Sequence, residues 1–221
     1  MNTVCCIVGS VAAEYPLPRH RFIIAADRGF EHLQNAGIRP DLVVGDFDSL
    51  GYLPQGFPVV QHPVEKDDTD TMLAIKEGFS RGYRIFILYG CLGGTRPEHS
   101  IANMQALSYI ASQGGMGFMV DKNTVITAIR NSKLMFDAHE SGDISIFCMG
   151  ADAEGVNIKG LHYPLTNATL TADLPLGVSN RFEGKASFVA VKSGTLHILW
   201  HKDTAAFLYD LTDEIPETQN Q

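Results

Sequence analysis

The feature that most constrains this chain is an alternation that stops. As far as about residue 122, short apolar runs rich in β-branched and aromatic residues take turns with stretches of helical spacing; from Thr124 onward only the short runs continue. Parallel strands need a connection long enough to hold a helix, so this alternation is the mark of a parallel sheet with crossover helices. Residues 1–122 therefore read as an α/β domain and residues 123–221 as an all-β sandwich or barrel.

In the first half, strands are expected at residues 4–8, 21–27, 42–44, 59–60, 84–89 and 117–121. Helices are expected at 30–36, closed by Gly37, at 69–79, and at 98–112 with Ile101, Met104 and Ala111 facing the core. In the second half, strands are expected at 125–129, 134–137, 144–149, 168–171, 187–191 and 196–200. Lys192-Ser193-Gly194 reads as a hairpin joining the last two, because glycine supplies the positive φ of a tight turn. The polar stretch 210–221 reads as a frayed tail.

Composition narrows the function. With 45% hydrophobic residues in 221, a core of ordinary density is available. The net charge of −8 excludes a general basic surface for nucleic acid or anionic lipid, so any phosphate must be neutralised locally. The four cysteines, Cys5, Cys6, Cys91 and Cys148, form no CxxC pair, which argues against a zinc site or a disulfide framework and for a reduced, cytoplasmic setting. The longest uncharged run, 100–120, holds Asn103, Gln105, Gln113 and three glycines, so no membrane span is expected.

Three segments could carry chemistry, and each follows an apolar run. Gly45-Asp46-Phe47-Asp48-Ser49 places two carboxylates where open α/β sheets bind ligands; they suit a hard cation such as Mg²⁺ and equally suit a turn. Lys66-Asp67-Asp68-Thr69-Asp70 opens a helix and holds more acid than one cap needs, with Lys66 available for a phosphate. Gly90-Cys91-Leu92-Gly93-Gly94-Thr95-Arg96-Pro97-Glu98-His99 lets backbone amides approach an anion, with Arg96 able to hold a phosphate and Glu98 to support a metal or orient Arg96. Segments following successive strands of one parallel sheet converge on one edge, and together these three point to metal-assisted phosphoryl chemistry. No Walker A motif is present, since Gly177 and Gly184-Lys185 are wrongly spaced and Ala186 replaces Ser or Thr.

These residues, with Ala26-Asp27-Arg28-Gly29 through Leu33, the run from Ile38 to Ser49, and Gly93-Gly94 through Asn103, resemble thiamine pyrophosphokinases. In the second half Gly160-Leu161-His162-Tyr163-Pro164-Leu165, Asn167-Ala168-Thr169-Leu170, Gly177-Val178-Ser179-Asn180 and Phe182-Glu183-Gly184-Lys185 follow in that family's order. The resemblance implies an α/β domain with a mostly parallel Rossmann-like sheet, an all-β C-terminal sandwich, and a homodimer with thiamine sites between subunits. It implies transfer of a diphosphoryl group from ATP to the thiamine hydroxyl, with release of AMP. By motif, Asp46, Asp48 and Asp70 resemble the Mg²⁺ and diphosphate site with Lys66 nearby, and Glu98 would join the metal ligands. Asp27, Gly29, Gly93, Gly94, Arg96 and His99 would bind ATP, and Ser179 with Asn180 would contact thiamine. Two departures stand out: Arg28 and Phe30 occupy positions that are small in the family, and the Gly93–His99 loop carries an added residue and Glu98 for Asp.

Three competing readings follow from the same residues. A pterin diphosphokinase would share the acidic loops and differ in its acceptor pocket. An aspartyl phosphatase would use Asp46 as a nucleophile in an Asp-x-Asp pair. A nucleotide or thiamine sensor would bind without turnover.

Overall fold

The computed structural model describes residues 4–18 and 21–213. Its first four strands, β1 (Val4–Val8), β2 (Arg21–Ala26), β3 (Leu42–Gly45) and β4 (Val59–Gln61), lie side by side and parallel, with α1 (Gly29–Asn35) between β2 and β3. Then α2 (Asp70–Ser80) carries the chain back to β5 (Ile85–Tyr89), which pairs with the other side of β1. From there α3 (Pro97–Ser112) leads to β6 (Met116–Asp121), parallel to β5. Strands covered on both faces carry uninterrupted apolar runs. Every residue of β1 is accordingly 1% exposed or less.

Local chemistry sets the helix ends. Thr69 caps α2 by accepting the Met72 amide at 3.2 Å, and Pro97 stands in the first turn of α3, where its missing N–H costs nothing. Gly78 lets α2 lie close to the sheet, because a Cβ there would meet the Phe86 ring at 2.6 Å. Of the three residues expected on the inner face of α3, Met104 and Ala111 pack against the core, while Ile101 is corrected, being 59% exposed; Asn103, Ala106, Leu107 and Ile110 are buried beside them. The Asn103 side chain donates to the Cys91 carbonyl at 2.7 Å.

Beyond β6 the same sheet continues. A turn at Lys122, whose φ is 44°, returns the chain as β7 (Thr124–Arg130), antiparallel to β6 with Val120 opposite Val125. The sheet is extended by β14 (Thr195–His201), β9 (Asp143–Cys148) and β12 (Gly177–Arg181), giving ten strands in the order β12-β9-β14-β7-β6-β5-β1-β2-β3-β4. A second, antiparallel sheet is built from β11 (Leu165–Leu170), β10 (Ala153–Lys159), β13 (Ser187–Ala190) and β8 (Lys133–Phe136), in that order.

The two sheets share one core. Phe136 of the small sheet meets Trp200 of the large one at 5.4 Å between ring centroids, and Phe182 stands 5.2 Å from Phe136. Trp200 in turn packs against Phe207 of α4 (Thr204–Asp213) at 5.9 Å. The sandwich is therefore not built from sheets of its own, since one of its layers is the continuation of the parallel sheet.

Other expectations are corrected as well. Lys192-Ser193-Gly194 is no hairpin, because β13 pairs with β8 and β10 while β14 pairs with β7 and β9. The segment instead passes the chain between sheets, with the Gly194 amide donating to the Asn131 side chain at 2.9 Å. Strands β10 and β12, each carrying a glycine and several polar residues, give too weak an apolar alternation to read in advance. Residues 210–213 are helical as the end of α4, and the rest of the expected tail lies outside the described residues. Among the described residues no helix is long and apolar enough to cross a membrane.

Trp200 is 3% exposed and joins both sheets to α4. Trp200→Ala is expected to lower the unfolding free energy by about 3 to 5 kcal/mol, measured by urea titration with circular dichroism because the chain's one tryptophan is lost.

Candidate active site

The return of the chain from β4 to β5 opens a crevice beyond the C-terminal ends of the parallel strands, since the loops on either side of β1 run in opposite directions. A cleft of about 500 Å³ lies there, reached by Ser10 after β1, Asp27 after β2, Asp46 after β3 and Gly90 after β5. Asp70 and Thr71 join from the start of α2, and Arg96 and His99 from the start of α3.

The acidic loop after β3 explains itself residue by residue. Phe47 adopts a left-handed backbone, with φ at 63°, and its ring is buried against the core at 5% exposure. That turn costs on the order of 1 kcal/mol, which burial of the ring offsets. It leaves Asp46 and Asp48 lining the cleft, with the Asp48 amide donating to Asp46 Oδ1 at 3.1 Å. Asp27 is also left-handed, with φ at 45°, and its amide donates to the Val44 carbonyl at 2.8 Å. Ser49 donates its hydroxyl to Asp27 Oδ2, while Asp27 Oδ1 is buried with no hydrogen-bond partner.

Carboxylate oxygens of Asp27, Asp46 and Asp48 lie within 4.8 Å of one another. Three hard oxygen donors at this spacing, one with an orphaned oxygen, fit a divalent cation that retains some of its water. The electrostatics divide their roles. Burial disfavours charge on Asp46, but hydrogen bonds from Lys66 and the Asp48 amide outweigh it and hold its carboxyl below the ordinary range. Hydrogen bonding with Asp46 and repulsion from it raise Asp48, and burial raises Asp70 against the pull of Lys66.

Lys66 is held between two carboxylates. It is 13% exposed, bonded to Asp46 and 3.0 Å from Asp70 Oδ1, so it ties the β3 loop to α2. Its charge is retained because these two carboxylates outweigh the effect of burial.

The remaining site expectations fall in different places. Gly93 and Gly94 line the cleft in left-handed conformations, with φ at 77° and 81°, and the Gly93 amide is 2.9 Å from Ser100 Oγ. Gly29 is a packing position, where a Cβ would overlap the Val8 carbonyl. Glu98 is not among the residues lining the cleft; it is exposed and pairs with Arg96 at 2.8 Å, which holds its carboxyl low.

Ser179 and Asn180 are on β12, five positions along the sheet from β5, or roughly 24 Å at the usual strand spacing. Asn180 is buried and accepts the Tyr163 and Arg181 amides, both at 2.9 Å, while donating to the Tyr163 carbonyl at 2.8 Å. Ser179 is exposed.

Sequence reasoning did not assign Ser10, Val11, Ala12, Ser49 or Asn103, all of which line the cleft. Ser49 lay within a motif already singled out. The segment after β1 carries no acid or glycine-rich signature beyond its place at a strand's end.

Family models match two stretches of the chain: the catalytic domain of thiamin pyrophosphokinase over residues 14–116 and its vitamin B1 binding domain over residues 133–196. The thiamine pyrophosphokinase of Bacillus subtilis (strain 168) is 28% identical over 168 residues, covering 73% of this chain and 78% of that one. The crystal structure of the thiamine pyrophosphokinase from Bacillus subtilis is similar with a TM-score of 0.77 at 24% identity, covering 91% of this chain and 99% of that one. A thiamin pyrophosphokinase family protein from Enterococcus faecalis gives 0.74 at 25% identity, covering 91% and 100%. Yeast thiamin pyrophosphokinase shares the fold, with 0.73 at 14% identity over 97% and 89%.

Lys66→Met is expected to cost about 1 to 3 kcal/mol at neutral pH, less than a fully buried pair because both partners keep some contact with water. The lowered Asp46 carboxyl contributes stability that is lost as pH falls through its folded-state value, and the raised Lys66 ammonium contributes stability that is lost as pH rises through its own. The deficit should therefore shrink at both acid and alkaline ends, which denaturant titrations across pH would reveal.

Proposed function

Because the chain belongs to the thiamin pyrophosphokinase family, we propose that it transfers a diphosphoryl group from ATP to the hydroxyl of thiamine, giving thiamine diphosphate and AMP. The observation that carries this reading is the convergence of Asp27, Asp46 and Asp48 in a cleft shared with Arg96 and His99. A match to the vitamin B1 binding domain in the second half favours thiamine over a pterin as acceptor.

In this reading Asp27, Asp46 and Asp48 hold Mg²⁺. When bound, that ion neutralises phosphate charge and polarises the phosphorus under attack. Lys66 and Ser49 keep the carboxylates oriented, the first between Asp46 and Asp70 and the second on Asp27. Gly93 and Gly94 keep the loop after β5 low enough for a phosphate chain, and Arg96 supplies charge at its side. Asp70, held beside Asp46 through Lys66, is available to orient the attacking hydroxyl.

We assign nucleotide and metal to residues 1–122, and thiamine and dimer contacts to residues 123–221. Ser179 lies too far from the cleft of its own chain to share a small substrate with it, which supports a site completed by a second copy. The open edge of β12, with Leu174, Leu176 and Val178 exposed at 60%, 54% and 40%, supports the same arrangement.

The test is thiamine-dependent conversion of ATP to AMP with Mg²⁺, the thiamine product being identified by mass. Asp46→Asn and Asp27→Asn should each lower kcat/KM by on the order of 100-fold or more. ADP or free phosphate as product would point to another phosphoryl enzyme, and binding without turnover to a sensor. If sites are shared between copies, mixing inactive Asp46→Asn with an inactive Ser179→Trp chain should restore part of the activity, and no recovery in a mixed dimer would place each site within one chain.

A further inference from the structure

The cleft has an excess of negative charge for a polyphosphate site. Asp27, Asp46, Asp48 and Asp70 all line it, while its basic side chains among the described residues are Arg28, Arg96 and His99. Lys66 is already committed to Asp46 and Asp70. A divalent cation offsets two charges, which leaves the carboxylates and a triphosphate still short of cations.

Of the two arginines, Arg28 is the less committed elsewhere. Arg96 has a 2.8 Å ion pair with Glu98, whereas the pair between Arg28 and Glu31 is stretched to 3.5 Å and both side chains are exposed, at 57% and 38%. Exposed pairs of this kind are weak, and a guanidinium bonds more strongly to a phosphate that it can grip with two N–H groups.

Its placement is also favourable. Arg28 directly follows Asp27, so its Cα is about 3.8 Å from that of a carboxylate in the metal-fitting cluster. Asp27, Asp46 and Asp48 would hold a divalent cation that would neutralise a phosphate chain in this cleft, and the Arg28 side chain lines the same cleft. The bulk of Phe30 does not disturb this loop, because its ring turns wholly into the core against Phe57 at 5.0 Å. The loop thus keeps Arg28 on the cleft wall, at a position where the family carries a small residue.

We propose that Arg28 is a phosphate-binding residue of this chain, leaving Glu31 to grip the distal phosphates of the bound nucleoside triphosphate. This rests on the nucleotide reading of the cleft given above.

Calorimetric titration of ATP and of AMP, each with Mg²⁺, into the wild type, Arg28→Ala and Arg28→Lys separates the two. Arg28→Ala should weaken ATP about tenfold and leave AMP unchanged, with Arg28→Lys in between because it keeps charge without the fork. In turnover, KM for ATP should rise with kcat within about twofold. Equal ATP affinity in the wild type and Arg28→Ala, or an equal loss for AMP, would overturn the role of Arg28 while leaving the nucleotide site standing. Failure of the wild type to bind ATP at all would overturn the nucleotide reading and this proposal with it.

Discussion

The pairing of β1 with β2 on one side and β5 on the other is the interaction on which the rest of this structure depends. It buries β1 on both faces, which is why its five residues can be uniformly apolar. It also forces the connections on its two sides to leave in opposite directions, and that divergence opens the cleft. Residues from four separate strand ends and two helix starts, spread from Ser10 to Asn103, meet there.

Once the loops converge, electrostatics becomes the main constraint. Asp27, Asp46 and Asp48 bring carboxylate oxygens within 4.8 Å of one another, and hydrogen bonding with Asp46 and repulsion from it raise the Asp48 carboxyl. Part of the solution is internal: Lys66 secures Asp46 and Asp70, and Ser49 occupies one oxygen of Asp27. The remainder is left open, in the orphaned oxygen of Asp27 and the raised Asp48 carboxyl. Such an arrangement fits the oxygen-donor set of a hard divalent cation. The same pressure makes each arginine at the cleft significant, since a negative protein offers few other cations there.

The second half answers a different need. An open parallel sheet ends in an exposed row of backbone groups, and β7 closes that edge at β6 by folding straight back on it. The antiparallel strands then extend the sheet until the small sheet can cover them through Phe136, Trp200 and Phe182. One consequence is distance: β12 ends up five strands along the sheet from β5, away from the cleft at the ends of the parallel strands.

What the sequence determined by itself was local. The apolar runs of the first half, the Thr69 cap, Pro97 at the start of α3 and the Gly45–Ser49 and Lys66–Asp70 motifs are readable because their causes, burial on both faces, capping and turn chemistry, act within a few residues. Partner choice was decided only by tertiary structure. Nothing near Lys192-Ser193-Gly194 states that its flanking strands belong to different sheets, and nothing near Lys66 states that its charge is already taken. Ile101 lies outside while Asn103 is buried with its side chain donating to the carbonyl of Cys91, a partner that helical spacing does not record. Pairing, rotation and charge compensation are set by groups distant in sequence, and a periodicity of two or of 3.6 records which residues share a face without recording what that face will meet.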